Sequence, residues 1–379
     1  MKYYIIAGEA SGDLYGSKLI DEILSIDKKA KIRFWGGDNM IKSGGHNVKH
    51  IKELAFMGFY EVLKNITTIV KNINFCKNDI KEFNPDRIIY IDYPGFNLKI
   101  CEWAKNNGYK NYYYISPQIW AWKENRIKSI KNNIDKLFVI FPFEKEYYKE
   151  KHNMEVEFYG HPLIEQIDNF NSSKEFLKKN NITKDSDIIT LLPGSRSQEI
   201  NSMLPIFLTL KKHFSNYEFI VAGVKNVNDS TYQPALDLNV KVVYNQTYDL
   251  LSHSKIAVVT SGTASLECAL FKVPQIVCYK TSSISYFIGK SFVNISFISL
   301  VNIILKKGIV KELIQNDLTE KKLINELSNL LSGNRISDML DEYSKIYSML
   351  SLYSLYALIT LEPSSLIRGL TFRTMPTGT

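Results

Sequence analysis

The sequence predicts an α/β protein built from two doubly wound domains, each a largely parallel sheet covered by helices. The chain has 379 residues, which is more than one ordinary α/β core contains and is typical of two domains. Short apolar runs alternate with longer segments long enough for helices, and this alternation favours βαβ units. A polar, weakly periodic stretch at 165–185 divides the runs into two series and is the predicted linker.

Each series of apolar runs predicts the strands of one domain. The first series comprises residues 3–7, 31–36, 87–92, 111–116, 136–141 and 156–160. The second series comprises residues 187–193, 218–223, 240–245, 256–261 and 275–280. We therefore expect domains over 1–168 and 169–340, followed by a C-terminal tail over 341–379. Ligands of such sheets bind beyond the carboxyl ends of the strands, so the residues after each run are the candidates for a site.

The net charge of the chain limits its possible partners, and the spacing of its cysteines argues against a metal site. With 47 Lys and Arg against 39 Asp and Glu, the net charge of +8 suits nucleic acid, an anionic membrane or phosphorylated small molecules. No RNP motif or zinc finger is present, so nucleic acid is not expected. The four cysteines lack metal-ligand spacing and read as reduced core thiols. With no signal-peptide pattern and no apolar stretch near ~18 residues, we expect a cytoplasmic protein without a membrane span.

Carboxylates follow two strands of the first series. Glu9 and Asp13 come directly after the first run, where they could accept hydrogen bonds from sugar hydroxyls; alternatively, Ser11 or Asp13 caps the next helix. Asp92 ends the run at 87–92, where an apolar strand behind it would raise its pKa and suit it to abstract a proton. The alternative is that Asp92 caps the turn formed by Pro94 and the following glycine.

The segment 112–148 is rich in aromatic residues and then in basic ones. Two tryptophans are followed by four basic residues, and interleaved aromatic and cationic side chains could stack on and neutralise an anionic partner. They are Trp120 and Trp122, then Lys123, Arg126, Lys128 and Lys131. The alternative is a core tryptophan beside a solvated basic helix face. His161 closes the last strand of this half and either contacts a ligand or turns the chain into the linker.

The turn Pro193-Gly194-Ser195-Arg196 stands where an apolar run becomes a helical pattern. Gly194 lets the backbone approach a ligand, and Ser195 can cap the helix with Gln198 as its capping-box partner. The N–H groups and dipole of a helix N-terminus suit a phosphate, and the Arg196 guanidinium can bind its oxygens in a bidentate way. A purely structural turn needs the glycine and the serine but not the arginine.

A second turn of this kind, Ser261-Gly262-Thr263, ends the run at 256–261. Glu267 lies just over one turn into the following helical pattern, where its carboxylate could accept from both hydroxyls of a ribose. Two anion-binding turns in one domain indicate that the second domain binds a nucleotide.

These segments together resemble the lipid-A-disaccharide synthases, a family of bacterial glycosyltransferases. The matching motifs occur in the family's order and span residues 1 to about 330. They are GEASGD (8–13), MGFYEVL (57–63), IDYPGFN (91–97), ISPQIWAWK (115–123), PFEKEYY (142–148), GHPL (160–163), LLPGSR (191–196), SGTASLE (261–267) and SLVN (299–302).

The resemblance implies a fold and a reaction. The fold is the two-domain glycosyltransferase-B architecture, with two Rossmann-like domains facing across a cleft. The reaction joins UDP-2,3-diacylglucosamine to 2,3-diacylglucosamine 1-phosphate and releases UDP, giving the β-1,6-linked precursor of lipid A in Gram-negative bacteria. The resemblance further implies an inverting enzyme without metal or cofactor, peripherally bound to the cytoplasmic face of the inner membrane.

The resemblance also assigns roles to residues of this chain. Asp92 aligns with the essential aspartate and is the expected general base. The expected donor-binding residues are Gly194, Ser195, Arg196, Ser261, Gly262, Thr263, Glu267 and Asn302. The expected acceptor-binding residues are Glu9, Ser11, Asn97, Trp120 and His161. Many members carry a second aspartate where this chain has Gly95, so a mechanism with two carboxylates is not implied here.

Two further segments concern the membrane and the oligomer. Residues 55–75 carry apolar side chains at near-helical spacing with interspersed lysines, which suits either a helix in the bilayer interface or a core-facing helix. The residues expected to contact membrane or acyl chains are Met57, Phe59, Tyr60 and Leu63. In the family the closing segment joins a swapped dimer, but residues 351–379 depart from that pattern, so monomer and homodimer both stay open.

Two rival functions fit the same architecture. A UDP-N-acetylglucosamine 2-epimerase would share the fold but need no lipid and no second sugar. A non-catalytic peripheral membrane protein of this fold would bind UDP without transferring a sugar.

Overall fold

The computed structural model describes residues 1–54, 66–184, 186–225, 227–281, 296–333 and 335–351. Within these ranges two parallel sheets follow one another along the chain, one formed by strands up to residue 158 and the other by strands from residue 188. This arrangement confirms the predicted α/β class with two doubly wound sheets.

The first sheet contains seven strands of the described part of the chain, in the order β3-β2-β1-β4-β5-β6-β7. The strands are β1 (Lys2–Ala7), β2 (Lys31–Gly36), β3 (His46–His50), β4 (Arg87–Ile91), β5 (Asn111–Tyr114), β6 (Lys136–Val139) and β7 (Glu157–Phe158). All neighbours pair in parallel, and Ile5 lies between Phe34 of β2 and Ile89 of β4. Parallel strands buried on both faces read as nearly continuous apolar runs, which is why this sheet is visible in the sequence.

Helices cross between the strands of the first sheet. Those that the structure describes are α1 (Ala10–Ile26), α2 (Asp38–Ser43), α3 (Ile66–Phe83), α4 (Pro94–Asn106), α5 (Ile127–Asn133), α6 (Pro142–His152) and α7 (Pro162–Asp168), with 3₁₀ turns at Ile51–Glu53 and Glu124–Arg126. Leu19, Ile20 and Ile23 of α1 are fully buried, and they recur at the helical spacing that packs one stripe against the sheet.

The second sheet contains six strands among the described residues, in the order β10-β9-β8-β11-β12-β13. The strands are β8 (Ile188–Leu192), β9 (Glu218–Gly223), β10 (Lys241–Tyr244), β11 (Ser254–Thr260), β12 (Gln275–Tyr279) and β13 (Lys311–Ile314). They are again parallel, and Val258 of β11 lies between Leu191 of β8 and Ile276 of β12.

Helices of the second half complete this domain and lead back to the first. They are α8 (Phe176–Lys179), α9 (Ser197–Leu208), α10 (Gln233–Asp237), α11 (Thr247–Ser252), α12 (Thr263–Leu270), α13 (Leu300–Leu305), α14 (Glu320–Leu331) and α15 (Ile336–Leu350), with 3₁₀ turns at Thr209–Lys212, Asp229–Tyr232 and Gln315–Asp317. Because α15 is continuous through residue 340, the expected domain boundary at that position falls inside a helix.

The predicted linker is packed onto the second domain. Phe176 is buried and stacks on His253 with ring centroids 5.6 Å apart, and the ring of Phe170 contacts that of Tyr248 at 5.3 Å. The end of α15 returns to the same region, where Leu350 O accepts from His161 N at 3.0 Å. The polar stretch is therefore held at two aromatic anchors rather than loosely extended.

Two strands were not predicted from the sequence. β3 reads HNVKH and β13 reads KELI, and each lies at an edge of its sheet. An edge strand faces solvent and can be short and polar, so it lacks the apolar run that marks a central strand. The four cysteines are free and buried, which confirms the prediction of reduced core thiols.

Candidate functional site

The candidate motifs lie at the switch points of both sheets. In the first sheet the strand order reverses between β1 and β4, and Glu9 and Asp92 follow these two strands. In the second sheet the reversal lies between β8 and β11, which are followed by the Gly194 and Gly262 turns. Ligands of doubly wound sheets bind in the crevice at such a switch point, so the topology brings the predicted residues to the expected edge.

The backbone at Asp92 has an unusual conformation that neighbouring side chains stabilise. Asp92 and Tyr93 both have left-handed conformations, with φ of 45° and 50°, which are uncommon for residues other than glycine. The carbonyl oxygen of Asp92 accepts hydrogen bonds from Tyr113 Oη at 2.5 Å and from Asn97 Nδ2 at 2.7 Å. A strained backbone of this kind persists only where its surroundings fix it, and such positions cluster at functional sites.

The environment of Asp92 suits a general base. Its pKa is raised to about 6, mainly because burial disfavours the charged carboxylate and further because Glu9 is negatively charged. The N–H of Tyr93 and the positive charge of Arg126 oppose this shift. A base with a pKa close to but below neutral pH is ionised when it must accept a proton.

The polar residues of the loop after β1 differ in their surroundings. Glu9 is the N-cap residue of α1 but its side chain makes no cap hydrogen bond, and Ser11 is exposed in the first turn. Asp13 is buried, and its carboxylate accepts from the backbone N–H groups of Gly37 at 2.6 Å, Asn39 at 3.1 Å and Met40 at 3.0 Å. Asp13 therefore caps α2, and neither Ser11 nor Asp13 caps α1.

Two glycines near Asp92, Gly8 and Gly95, differ in whether the structure has room for a side chain at that position. A Cβ added at Gly8 would lie 2.3 Å from the ring of Tyr93, so the close packing of this ring requires glycine. A Cβ at Gly95 would meet no atom within 4 Å, and Gly95 is exposed in the first turn of α4. The position of the second aspartate of many family members is thus open space in this chain.

Three predicted acceptor residues serve the scaffold. The amide of Asn97 supports the Asp92 carbonyl, and its Oδ1 is buried without a hydrogen-bond partner among the described residues. Trp120 Nε1 donates to Glu144 at 3.2 Å, and this buried carboxylate also accepts from the N–H groups at the start of α6. His161 is 3% exposed and caps α7, with Nδ1 accepting from the N–H of Leu163 at 3.1 Å, so it makes the turn rather than facing a ligand.

Burial decides the protonation of two of these scaffold groups. It lowers the pKa of His161 to about 3, so the ring is neutral and can accept a hydrogen bond at Nδ1. It raises the pKa of Glu144 to about 7, although the donors around this carboxylate oppose the shift.

The PGSR turn begins α9 in an unexpected way. The N-cap residue is Arg196, without a side-chain cap, so the predicted capping box of Ser195 with Gln198 is wrong. Instead, Glu199 Oε2 accepts from Ser195 N at 3.0 Å, and Oε1 lies 3.5 Å from a guanidinium nitrogen of Arg196. The helix starts one residue later than predicted, so the side chain that folds back onto the turn is that of Glu199.

Gly194 is required for this turn. Its φ of 121° lies in the left-handed region, and a Cβ there would stand 2.6 Å from Glu199 Cβ. The carboxylate of Glu199 thus occupies the place beside the helix N-terminus and the arginine where a phosphate would be bound. No local sequence pattern indicates this role of Glu199, because it depends on the side chain folding back onto the turn.

The second turn leads into α12 through Gly262. Ser261 Oγ donates to Ile298 O at 2.8 Å, and Ser265 Oγ donates to Gly262 O at 2.8 Å, whereas Thr263 is exposed. Glu267 Oε1 accepts from Tyr248 Oη at 3.1 Å. Burial raises the pKa of Glu267, and the hydrogen bond from Tyr248 opposes that shift.

Asn302 has a structural role at the second turn. Its Nδ2 donates to Val310 O at 2.9 Å and to Glu312 Oε1 at 2.8 Å, while its Oδ1 accepts from the N–H groups of Ile309 and Val310. The side chain is 1% exposed. Its hydrogen-bonding groups are therefore engaged within the loop, which carries Ile298, the acceptor for Ser261.

A cavity of about 410 Å³ joins the two turns of the second domain. The predicted donor residues that line it are Gly194, Ser195, Arg196, Ser261, Gly262, Thr263 and Glu267. Thr260 also lines the cavity, and its buried Oγ1 has no hydrogen-bond partner among the described residues. Buried polar atoms in proteins are normally paired, so this hydroxyl is suited to a polar group of a ligand.

Tyr15 connects the two halves of the crevice. It lies in α1 and is partly buried, and its pKa is raised to about 12, mainly by burial and further by the carboxylates of Glu267 and Asp92. The pKa of Tyr15 is thus affected both by Asp92, the candidate base of the first domain, and by Glu267, the candidate ribose-binding residue of the second. No local sequence pattern indicates Tyr15 or Tyr248, because neither directly follows a strand.

Other features of the described residues lie apart from this crevice. A second cavity of about 430 Å³, lined by residues such as Asp187, Lys211 and Lys241, stands where β8 and β9 begin, at the opposite edge of the sheet. In the described ranges no group of three metal-ligating side chains converges, and no described helix has the length and apolarity to span a membrane. Met57, Phe59, Tyr60 and Leu63 lie outside the described residues, as does the tail from 352 onward.

Comparison with known sequences decides the family. The model of the lipid-A-disaccharide synthetase family matches residues 3–353. The chain belongs to the lipid-A-disaccharide synthase family. A lipid-A-disaccharide synthase of Coxiella burnetii (strain Dugway 5J108-111) is 36% identical over 334 residues, which cover 87% of this chain and 89% of the relative. Lipid-A-disaccharide synthase 1 of Legionella pneumophila (strain Paris) is 36% identical over 359 residues, 92% of each chain.

Comparison with solved structures supports the architecture. The UDP-GlcNAc 2-epimerase of Neisseria meningitidis bound to UDP-GlcNAc superposes with a TM-score of 0.62 at 14% identity, covering 95% of this chain and 98% of the epimerase. At that identity the likeness shows the shared fold alone. Membership of the family confirms the resemblance seen in the motifs: the protein is a glycosyltransferase of lipid A biosynthesis with the glycosyltransferase-B fold, for which the family implies a UDP-sugar donor and a glycolipid acceptor.

Proposed function

We propose that this enzyme transfers 2,3-diacylglucosamine from UDP-2,3-diacylglucosamine to the 6-hydroxyl of 2,3-diacylglucosamine 1-phosphate, with Asp92 as general base. The observation that carries the proposal is Asp92, whose pKa is raised and which follows β4 at the switch point of the first sheet, together with the cavity between the two donor turns at the switch point of the second. The neighbourhood of Tyr15 to both Asp92 and Glu267 supports a single site shared by the domains.

The donor is bound by the second domain in this proposal. Its diphosphate lies against the start of α9 and α12 with the guanidinium of Arg196, since backbone N–H groups and an arginine fork suit phosphate oxygens. The ribose hydroxyls donate to Glu267, which Tyr248 orients through Oε1. The hydroxyl of Thr260 supplies a further polar contact within the cavity.

The transfer is a single displacement with inversion. Asp92 accepts the proton of the acceptor's 6-hydroxyl while that oxygen forms a bond to the anomeric carbon of the donor sugar. The bond from this carbon to the β-phosphate oxygen breaks, and its electron pair leaves with UDP. Arg196 and the helix N-termini stabilise the negative charge that develops on the leaving group, which lowers the barrier because the interaction strengthens in the transition state.

The proposal is tested with purified protein, both diacylated substrates and quantification of lipid disaccharide and UDP together. The wild type should form the two products in equal amounts. Asp92→Asn keeps the shape of the side chain but removes the proton acceptor, so kcat should fall by roughly 10²- to 10⁴-fold. UDP affinity, measured by calorimetry, should stay unchanged.

Three outcomes of this assay would contradict the proposal. Near-normal turnover by Asp92→Asn would remove Asp92 from the role of base. UDP binding by the wild type without disaccharide formation would favour a non-catalytic protein. Epimerisation of UDP-N-acetylglucosamine would favour the epimerase reaction.

We further propose that the enzyme works on the cytoplasmic face of the inner membrane, because both of its proposed substrates carry acyl chains. The exposed side chains of Val70 and Phe75 in α3 support this proposal, since they are apolar residues of the segment 55–75 that lie at the surface. A homodimer is compatible with this arrangement but is not required by it.

A further inference from the structure

The loop after β5 carries an aromatic and basic cluster that the donor site and the general base leave unused. β5 pairs with β4, with Tyr114 opposite Ile91, so the loop leaves the sheet beside Asp92. It passes through left-handed residues at Ile115 and Lys123 and ends in the 3₁₀ turn Glu124–Arg126. The cluster therefore stands at the same edge of the sheet as the proposed base.

Trp122 is the centre of the cluster. Its side chain is 49% exposed, in contrast to the partly buried Trp120 two residues earlier. Lys123 Nζ lies 4.2 Å from the centroid of its ring, and Arg126 Cζ lies 5.6 Å from it. Such cation–π contacts hold two flexible cations beside one aromatic surface.

Arg126 has no anionic partner in direct contact. No ion pair or hydrogen bond of its guanidinium is found among the described residues, and the nearby Glu124 is paired with Lys151 at 2.8 Å. Burial lowers the pKa of Arg126, while Asp92 and Tyr113 act in the opposite direction. A partly desolvated guanidinium without a direct counter-charge is unfavourable, which points to an anion supplied from outside.

We infer that Trp122, Lys123 and Arg126 form a subsite for the phosphate monoester on the anomeric carbon of the acceptor sugar. The inference rests on the proposed function, because that function supplies an acceptor whose attacking 6-hydroxyl is carried on C5 and whose phosphate is on C1, the two carbons that flank the ring oxygen. The phosphate must then bind within about one sugar ring of the general base, without touching it. Arg126 meets this requirement, since it is close enough to Asp92 for their charges to interact without forming an ion pair.

The chemistry of the cluster fits a phosphate dianion. A guanidinium binds two phosphate oxygens through parallel N–H donors, and an ammonium adds a point charge. The indole that holds the arginine fixes its plane, so less side-chain freedom is lost when the phosphate binds. The same chemistry would fit the headgroup phosphate of a membrane lipid, and the two sources are separated by the experiment.

The experiment compares two acceptors, 2,3-diacylglucosamine 1-phosphate and 2,3-diacylglucosamine without the phosphate, at saturating donor. For the phosphorylated acceptor, Arg126→Ala should raise KM by about 10- to 100-fold, the range expected for losing a charged hydrogen bond. For the acceptor without phosphate, KM should stay within about twofold of the wild-type value, since no partner is lost. Arg126→Lys keeps the charge but not the fork and should show a smaller rise with the phosphorylated acceptor alone.

Lys128→Ala is the matched control, because Lys128 is exposed on the same segment and outside the cluster. Lys128→Ala should leave KM unchanged for both the phosphorylated and the unphosphorylated acceptor. UDP affinity of Arg126→Ala should equal that of the wild type, and so should its flotation with phosphatidylglycerol vesicles.

If the wild type forms disaccharide and Arg126→Ala raises KM equally for both acceptors, the inference is overturned and the proposed function stays intact. If Arg126→Ala also floats less with the vesicles, and its KM rises equally for both acceptors, the cluster binds a lipid headgroup and the inference is likewise overturned. A wild-type protein that forms no disaccharide from either acceptor would overturn the proposed function and this inference together.

Discussion

Asp92 illustrates how a single residue acquires its chemistry from neighbours that are distant in sequence. Its left-handed backbone is supported by Tyr113 and Asn97, which come from the next strand and from α4. Its charge is tuned by Glu9, which follows β1, and by Arg126, which follows the loop after β5. The proton affinity of the proposed base is therefore a property of the whole sheet edge.

The pKa of Asp92 predicts a pH profile. The carboxylate must be ionised to accept a proton, so kcat/KM should fall as the pH decreases through about 6. Because Glu9 raises this pKa, Glu9→Gln should move the acidic limb of the profile to lower pH. Steady-state rates of both proteins across the acidic range measure the shift.

Glu22→Gln serves as the control for the pH experiment, because Glu22 lies farther along α1, away from the site. Its profile should match that of the wild type. A limb that moves to higher pH in Glu9→Gln, or does not move, would show that Glu9 does not set the charge state of the base.

At the level of elements, the start of α9 is arranged as an anion site that holds one of its own carboxylates. Glu199 accepts from the N–H of Ser195 and faces the guanidinium of Arg196. A negative charge in the first turn stabilises a helix, but here it stands where the donor diphosphate is proposed to bind. Binding UDP then requires this carboxylate to move or to share its partners with a second anion.

Glu199→Ala should therefore change affinity and stability in opposite directions. Removing the like charge should tighten UDP binding by about fivefold, since charges in a first turn contribute up to roughly 1 kcal/mol. The melting temperature of the ligand-free protein should fall slightly, because the N-terminus of α9 loses its carboxylate. Calorimetry and thermal unfolding measure the two effects.

Glu199→Gln keeps the shape and removes the charge, so it should show the gain in affinity with a smaller loss of stability. Weaker UDP binding in both variants would instead show that Glu199 positions Arg196 for the donor and does not compete with it.

At the level of the whole molecule, the two sheets are tied together near the crevice. Lys306 Nζ lies 2.7 Å from Glu146 of α6, and Tyr347 Oη donates to the carboxylate of Asp168 at 2.9 Å. These contacts are exposed and individually weak, and one buried apolar cluster also includes residues of both halves, such as Leu163 and Leu266. Two exposed apolar side chains of α3, Val70 and Phe75, lie on the first domain, which also carries the proposed base and acceptor subsite.

The exposed side chains of Val70 and Phe75 predict where the enzyme meets the membrane. Val70 is 50% exposed, and Val70→Ser should weaken binding to phosphatidylglycerol vesicles by about 3- to 10-fold, because partial burial of an apolar side chain is lost. Binding of the wild type should also weaken as salt rises, since lysine attraction to anionic lipid is screened. Vesicle flotation measures both effects, and UDP affinity should not change.

Leu236→Ser is the matched control, since Leu236 is 47% exposed in α10 of the second domain. Its flotation should equal that of the wild type. An equal loss in both variants, or none in Val70→Ser, would show that α3 does not contact lipid.

The sequence could predict the central strands and the turns that follow them, because both are local patterns. An apolar run identifies a strand buried on both faces, and Gly194 or Gly262 after such a run identifies a sharp turn. Since ligands of parallel sheets bind at the carboxyl ends of strands, the sequence by itself indicates Asp92, Arg196 and Glu267 as candidates. The edge strands β3 and β13 were missed because their residues are polar.

The residues whose roles changed depend on partners that no local pattern contains. Asp13 caps a helix about 24 residues later, Asn302 closes a loop with Glu312, and Trp120 is held by Glu144. Polar side chains of these types suit a ligand or a buried backbone group equally well. Which of the two they bind depends on the burial and hydrogen-bond partners that the fold creates.

Motif order and hydrophobic pattern thus determined the family, the two-sheet architecture and the sheet edges at which the candidate residues lie, because each is a property of neighbouring residues along the chain. The tertiary structure decided which polar side chains remain available there, how far burial raises the pKa of Asp92, and that Arg126 stands beside the base without an ionic partner among the described residues. These are set by distances between segments far apart in sequence, and electrostatic and desolvation energies follow those distances.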